Sequence, residues 1–243
     1  MPEGPSILIL KEQVQQFAGQ KILEVSGNAK IGIDRLQGQK IIAIRSWGKH
    51  TLICFKTFTV KIHLLMFGSY RVNERKDTQP RLSMKFKNGE LNFYTCSIQF
   101  IEGSLDEVYD WAADVLSDAW DPKKAKKKLK EVPGMLVCDA LLTQDIFAGV
   151  GNIIKNEVLF RIRVHPLSTV GALPVKQLDL MIKEARNYSF DFLEWKKAFV
   201  LKQRWLAHNK RICPRDNVPF HRAHLGKSHR RTFFCELCQV LYT

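Results

Sequence analysis

Near residue 105 the hydrophobic pattern of this chain changes period, and that switch constrains its fold more than any other feature. Between Lys21 and Ile101 the apolar residues fall in short β-branched and aromatic runs: 40–44, 51–55, 59–62, 82–86 and 91–94. Turn residues such as Asn88-Gly89 separate them, which predicts an antiparallel sandwich or barrel. Beyond Leu105 the spacing becomes helical, over 105–117, 123–131, 135–145, 152–162 and 174–195. A further amphipathic helix is expected at the start, where Ile7, Leu10, Val14, Phe17 and Ala18 share one face and Gly19 sits at the C-cap. The chain therefore reads as an α+β multidomain protein: a β-rich half, an α-rich half and a short cysteine-bearing end.

With 243 residues there is length for one large domain or two modest ones. No apolar run reaches the length of a membrane span, and Ile7–Leu10 is too short for a signal segment. A soluble protein of the cytoplasm or nucleus is expected, in a bacterium the nucleoid-bearing cytoplasm. The formal charge of +14 asks for a polyanionic partner, nucleic acid or an anionic membrane surface. Part of that charge is the run Lys123-Lys124-Ala125-Lys126-Lys127-Lys128-Leu129-Lys130, read as a solvated helix face rather than a phosphate patch.

Six cysteines in a chain of this size do not resemble a secreted disulfide scaffold. Cys54, Cys96 and Cys138 lie singly among apolar neighbours and read as small buried hydrophobes. Cys235-Glu236-Leu237-Cys238 is different, because two thiolates three positions apart grip one tetrahedral zinc, and Cys213 lies 22 positions upstream. The fourth ligand is open: Asp216 stands three after Cys213, and His221, His224 and His229 lie inside the same loop. Residues 202–231 hold nine Lys or Arg and one acid, Asp216. Without an amphipathic apolar face, a metal-stapled hairpin of that charge points to nucleic acid rather than membrane.

Two smaller motifs carry chemistry. Gly149-Val150-Gly151-Asn152 separates two helical patterns and offers backbone N–H groups at a helix start, a natural phosphate site, with Asn152 as cap or further donor. At the other end, Pro2-Glu3 follows Met1. If Met1 is trimmed, Pro2 becomes a secondary amine able to attack an electrophilic carbon and form an iminium ion, with the Glu3 carboxyl beside it as acid. An α-amino group titrates at roughly 8, so about a tenth is neutral near pH 7.

Taken together these motifs resemble the formamidopyrimidine-DNA glycosylase and endonuclease VIII family. Five ordered segments carry the resemblance: Pro2-Glu3-Gly4-Pro5, Trp47-Gly48-Lys49, His63-Leu64-Leu65-Met66-Phe67-Gly68, Gly149-Val150-Gly151-Asn152-Ile153, and Arg230 through Cys238. The resemblance implies a two-layer β-sandwich (1–121), a helix-two-turn-helix domain (122–207) and a zinc β-hairpin (208–243), with damaged double-stranded DNA bound by a monomer in the cleft between the halves. It implies Pro2 as nucleophile, Glu3 as acid, and Lys49, Asn152 and Arg230 as phosphate-gripping residues, with Lys49 and Arg230 counted in the catalytic set. Leu65, Met66 and Phe67 would fill the hole left by an everted base. Structural zinc would be held by Cys213, Asp216, Cys235 and Cys238.

Two positions depart from the family pattern. Ser6 stands where a second glutamate is usual, and Asp216 replaces the second zinc cysteine. Gly4 and the stretch Tyr94–Phe100, which holds no arginine, are closer to the endonuclease VIII branch, so oxidised pyrimidines are the expected substrates. A non-catalytic damage-binding relative and an oxidised-purine glycosylase are the alternatives, and a zinc-hairpin RNA-binding protein is a more distant one.

Overall fold

Pro5 needs no N–H partner in the first turn of a helix, and in the computed structural model, which describes residues 2–243, it begins helix α1 (Gly4–Val14). Glu3 is extended at the N-cap, and its carbonyl accepts from the Ser6 and Ile7 N–H groups at 2.8 and 3.3 Å. Ile7, Leu10 and Val14 turn one face inward, and Phe17 stacks on Phe86 at 4.4 Å between ring centroids. Gly19, with φ +80°, ends this segment as a left-handed cap.

Eight strands follow: β1 (Glu24–Ser26), β2 (Ala43–Trp47), β3 (His50–Cys54), β4 (Phe58–His63), β5 (Ser69–Val72), β6 (Leu82–Phe86), β7 (Gly89–Tyr94) and β8 (Ser97–Glu102). They form two four-stranded antiparallel sheets, ordered β1-β6-β7-β5 and β2-β3-β4-β8. Ile44, Ile53 and Val60 from one sheet share a single core with Leu82, Leu91 and Phe93 from the other, which makes the unit a β-sandwich. A short helix, α2 (Leu105–Val108), closes this first compact unit at Tyr109.

The second unit runs from Asp110 to Thr243 and holds α3 (Pro122–Lys130), α4 (Val137–Ala140), α5 (Asn152–Arg161), α6 (Val175–Lys197) and the hairpin β9 (His221–Leu225) and β10 (Arg230–Phe234). Leu129, Val137, Phe147, Ile154, Val158 and Met181 contribute to its core. No helix among the described residues is long and apolar enough to cross a membrane.

Several expected boundaries moved for local reasons. The helix expected over 105–117 is only four residues long: Ser104 caps its start by accepting from the Asp106 N–H, but beyond Val108 the Asp110 and Asp114 side chains accept from the Ala112 and Leu116 N–H groups and divert the backbone into turns. Asp110 also pairs with Lys124 and Lys128 at 2.9 Å, so segment 110–121 sits with the helices rather than with the sandwich. The helix expected over 135–145 is confined to Val137–Ala140, and the strand expected over 40–44 begins at Ala43. Cys96 and Cys138 are buried as expected, whereas Cys54 is half-buried at the end of β3. Along α3 only Ala125 and Leu129 are buried, leaving the lysines outward; Lys124, Lys126 and Lys128 find acids there.

Candidate nucleic-acid site and metal cluster

A carboxylate that is taken wholly out of water at a chain start is unusual. Glu3 is 0% exposed, and half-buried Pro2 precedes it. The pair stands at the positive end of α1, where the helix dipole favours an anion. Ser6, one turn on, bonds to Glu3 through its backbone.

Lys49 occupies the tip of the β2–β3 hairpin, whose register pairs Trp47 with His50 and leaves a two-residue turn. Gly48 takes φ +52°, the left-handed geometry such a turn requires at its first central position. Beneath it the sequence reading missed an aromatic platform. Trp47 packs on Tyr109 at 4.9 Å, the Tyr109 hydroxyl lies 3.2 Å from His50 Nδ1, and His50 meets His63 edge-on at 5.3 Å. Burial, followed by the charges of His63, Lys61 and Lys49, holds His50 down at about 4. Burial and then Lys49 also lower His63, so the ring pair stays neutral while the positive charge gathers at the lysines. A visible signal was present: His50 directly follows the motif that ends in Lys49, and His63 opens the one that holds Met66.

The triplet after β4 is not core. Leu65, Met66 and Phe67 are 47%, 50% and 80% exposed. Leu65 takes φ +54°, which swings the segment outward, and Gly68 abuts the Leu64 carbonyl so closely that no Cβ fits. Three consecutive apolar side chains presented to solvent on a tight turn form a natural wedge.

In the second unit, Gly151 rather than Asn152 is the N-cap of α5. Gly149, at φ +96°, makes the preceding turn, and Gln144 straps it by accepting from Gly149 N–H at 3.1 Å and donating to the Leu142 and Val150 carbonyls. Asn152 is thereby freed from capping, and its Nδ2 donates to the Arg231 carbonyl at 2.9 Å. Two more α5 side chains reach the same strand. Buried Lys155 donates to Thr232 Oγ1 at 2.7 Å, and Asn156 Oδ1 accepts from Phe233 N–H at 3.3 Å. Glu157, also wholly buried, accepts from the Leu206, Ala207 and His208 N–H groups; burial pushes its carboxyl up and those donors offset part of the shift. Arg230 thus begins a strand fixed by the helix that Asn152 opens.

Cys213, Asp216, Cys235 and Cys238 bring their ligand atoms within 4.8 Å of one another. The Cys213 and Cys238 sulfurs are 3.8 Å apart, and Asp216 Oδ2 lies 3.3 Å from Cys213 Sγ and 3.2 Å from Cys235 Sγ. A zinc tetrahedron with bonds of about 2.3 Å to sulfur and about 2.0 Å to oxygen has edges of roughly 3.5–3.8 Å, so three thiolates and one carboxylate fit one such ion. Of the candidate fourth donors, Asp216 is the one whose carboxylate lies with the three sulfurs. His221 instead stacks on Phe234, and exposed His224 donates to the His229 carbonyl at 2.8 Å. Arg215 lies over the Phe160 ring and donates to the Phe160 carbonyl and Cys238 Sγ, orienting the cluster from outside.

Residues 1–100 match the formamidopyrimidine-DNA glycosylase N-terminal domain, and residues 111–194 match the H2TH (helix-two-turn-helix) domain of the same family. The chain belongs to the formamidopyrimidine-DNA glycosylase/endonuclease VIII family. Within this family it is 34% identical over 191 residues to the endonuclease 8-like 2 protein of Bos taurus, covering 72% of this chain and 56% of that one. It is 25% identical over 241 residues to endonuclease 8-like 3 of Xenopus laevis, covering 94% of this chain and 39% of the relative. The chain thus spans between about two fifths and somewhat over half of the length of these relatives. Among solved structures, the formamidopyrimidine-DNA glycosylase of Lactococcus lactis, bound non-covalently to DNA containing an AP site, superposes with a TM-score of 0.84 at 22% identity, covering 98% of this chain and 99% of that one. That likeness establishes the family fold for both units.

Proposed function

We propose that this family member is a base-excision DNA glycosylase with AP lyase activity on oxidised bases, principally pyrimidines, acting through Pro2. The observation that carries the reading is the pairing of a half-buried proline with a wholly buried carboxylate at the head of α1. With Met1 removed, the Pro2 nitrogen attacks C1′ of the damaged nucleoside and the base leaves with the glycosidic electron pair. Glu3 protonates the ring oxygen as the C1′–O4′ bond opens, which leaves an iminium ion. The iminium acidifies the C2′ proton; its loss expels the 3′ phosphate, and a second elimination expels the 5′ phosphate. Water then hydrolyses the remaining iminium and returns the amine. Met1 itself lies outside the described residues.

Lys49 on its hairpin tip and Asn152 and Arg230 on the α5–β10 pair supply phosphate contacts in this scheme, and Leu65–Phe67 supply the wedge that replaces an everted base. Zinc, held by Cys213, Asp216, Cys235 and Cys238, serves structurally by closing a segment with a small core, in which Ala207, Val218, Phe220 and the cysteines pack with Phe160 of α5. The pyrimidine preference is supported by the β7–β8 connection. It consists of Thr95 and Cys96 alone, too short to carry an inserted arginine loop.

Borohydride trapping on abasic duplex DNA tests the reading. A covalent adduct is expected with the trimmed protein and none with Pro2→Gly; an undiminished adduct from that variant would sink the proline mechanism. Faster excision of an oxidised purine than of an oxidised pyrimidine would overturn the substrate preference alone.

A further inference from the structure

The β9–β10 hairpin reaches Arg230 through a tight turn keyed to a carboxylate from far away in the chain. Asp139, in α4, accepts from the Lys227 N–H at 2.9 Å and from the Ser228 N–H at 3.3 Å, 88 and 89 positions distant. Gly226, just before them, has φ +69°, and a Cβ there would overlap both Asp139 oxygens. Donors aimed at the carboxylate and a glycine that leaves room for it are two separate marks of one fitted contact. The turn has little apolar support, since Gly226, Lys227 and His229 wall a cavity of 630 Å³ faced by Val132, Pro133 and Leu136. An acid placed beside a hairpin that meets a polyanion weakens that meeting electrostatically, so its presence calls for a structural role.

We propose that Asp139 is a positioning residue for Arg230. It clamps the turn on one side of Arg230, while Asn152 holds the Arg231 carbonyl on the other. Arg230 therefore leaves the backbone between two anchors. Freed of one, its guanidinium loses the sub-ångström placement on which charge stabilisation depends. This proposal rests on the reading of Arg230 as a phosphate-gripping residue.

The test uses the zinc-loaded full chain with Asp139→Ala, Asp139→Asn, Gly226→Ala, Arg230→Ala and the Asp139→Ala/Arg230→Ala pair. Amide exchange at Lys227 and Ser228 should quicken at least tenfold in Asp139→Ala and in Gly226→Ala, which breaks the same contact from the other side. Cleavage of abasic duplex should slow about tenfold in both, with Asp139→Asn keeping most of the rate through its remaining acceptor. The double variant should be no slower than Arg230→Ala alone, since the two act as one unit. Unchanged exchange, or rate losses that multiply in the double variant, would overturn the proposal. A wild type that neither cleaves nor traps would instead overturn the functional reading and Arg230's part in it, while quickened exchange would still establish the clamp.

Discussion

Asn152 donates to the Arg231 carbonyl at 2.9 Å and in doing so leaves its own Oδ1 buried with no hydrogen-bond partner. One bond is gained and one buried acceptor is left unsatisfied, two effects that are each worth about 1–2 kcal/mol and opposite in sign. Asn152→Ala removes both together. Its unfolding midpoint should therefore shift by the equivalent of less than about 1 kcal/mol, while affinity for abasic duplex falls about tenfold as Arg230 loses its anchor. Chemical denaturation and equilibrium binding at fixed salt check this. A large stability loss with unchanged affinity would assign Asn152 to the scaffold alone.

The metal cluster should behave as part of the fold. Its four donors staple a segment with few apolar contacts of its own, so chelation should release the hairpin and abolish DNA binding while the sandwich stays folded. Asp216→Ala leaves three ligands and should bind zinc at least tenfold more weakly. Asp216→Cys restores an all-thiolate set and should bind more tightly than wild type. Native mass spectrometry with one zinc per chain, followed against added chelator, reads both changes.

How much of this was legible beforehand depended on how far apart the partners lie. The β-then-α order, the buried helix face of Ile7, Leu10 and Val14, and the cluster of Cys213, Cys235 and Cys238 follow from local spacing, and they stand in the structure. The pairing of Lys155 with Thr232 joins positions 77 apart, and nothing in a lysine within a helix announces a buried hydroxyl partner. The turn clamp made by Asp139 was hidden for the same reason. The expected helix over 105–117 stopped at Val108 because Asp110 and Asp114 bind their own neighbouring backbone, a local competition that hydrophobic spacing does not register. The exposure of Leu65 to Phe67 came from the family resemblance rather than from composition, and in the structure the left-handed Leu65 accompanies it.

That exposure sets a prediction of its own. Because Phe67 is 80% and Met66 50% exposed, Phe67→Ala and Met66→Ala should each change stability by no more than about 0.5 kcal/mol. A wedge acts only where a base must leave a stacked duplex, so excision of a lesion from duplex DNA should slow at least tenfold. Cleavage of an abasic site in single-stranded DNA should change less than threefold. Equal losses on both substrates would show that the triplet contributes ordinary binding surface.

The neutral imidazole beneath Lys49 makes stability depend on pH in a definite direction. His50 is held at about 4, first by burial and then by the charges of His63, Lys61 and Lys49, whereas an unfolded histidine titrates near 6.5. Above that value neither state carries the proton and the contribution is complete. As pH falls through 6.5 toward 4 the unfolded chain takes up a proton that the folded chain refuses, and stability declines by about 2 kcal/mol between pH 7 and pH 5. His208, also held at about 4 by burial and by Lys155, adds a like loss in the second unit. His50→Gln keeps a polar partner in reach of the Tyr109 hydroxyl and removes the titration. Its denaturation midpoint should be lower than wild type at pH 7 yet fall less steeply toward pH 5. Parallel slopes for the two proteins would mean that the acid sensitivity resides in other groups.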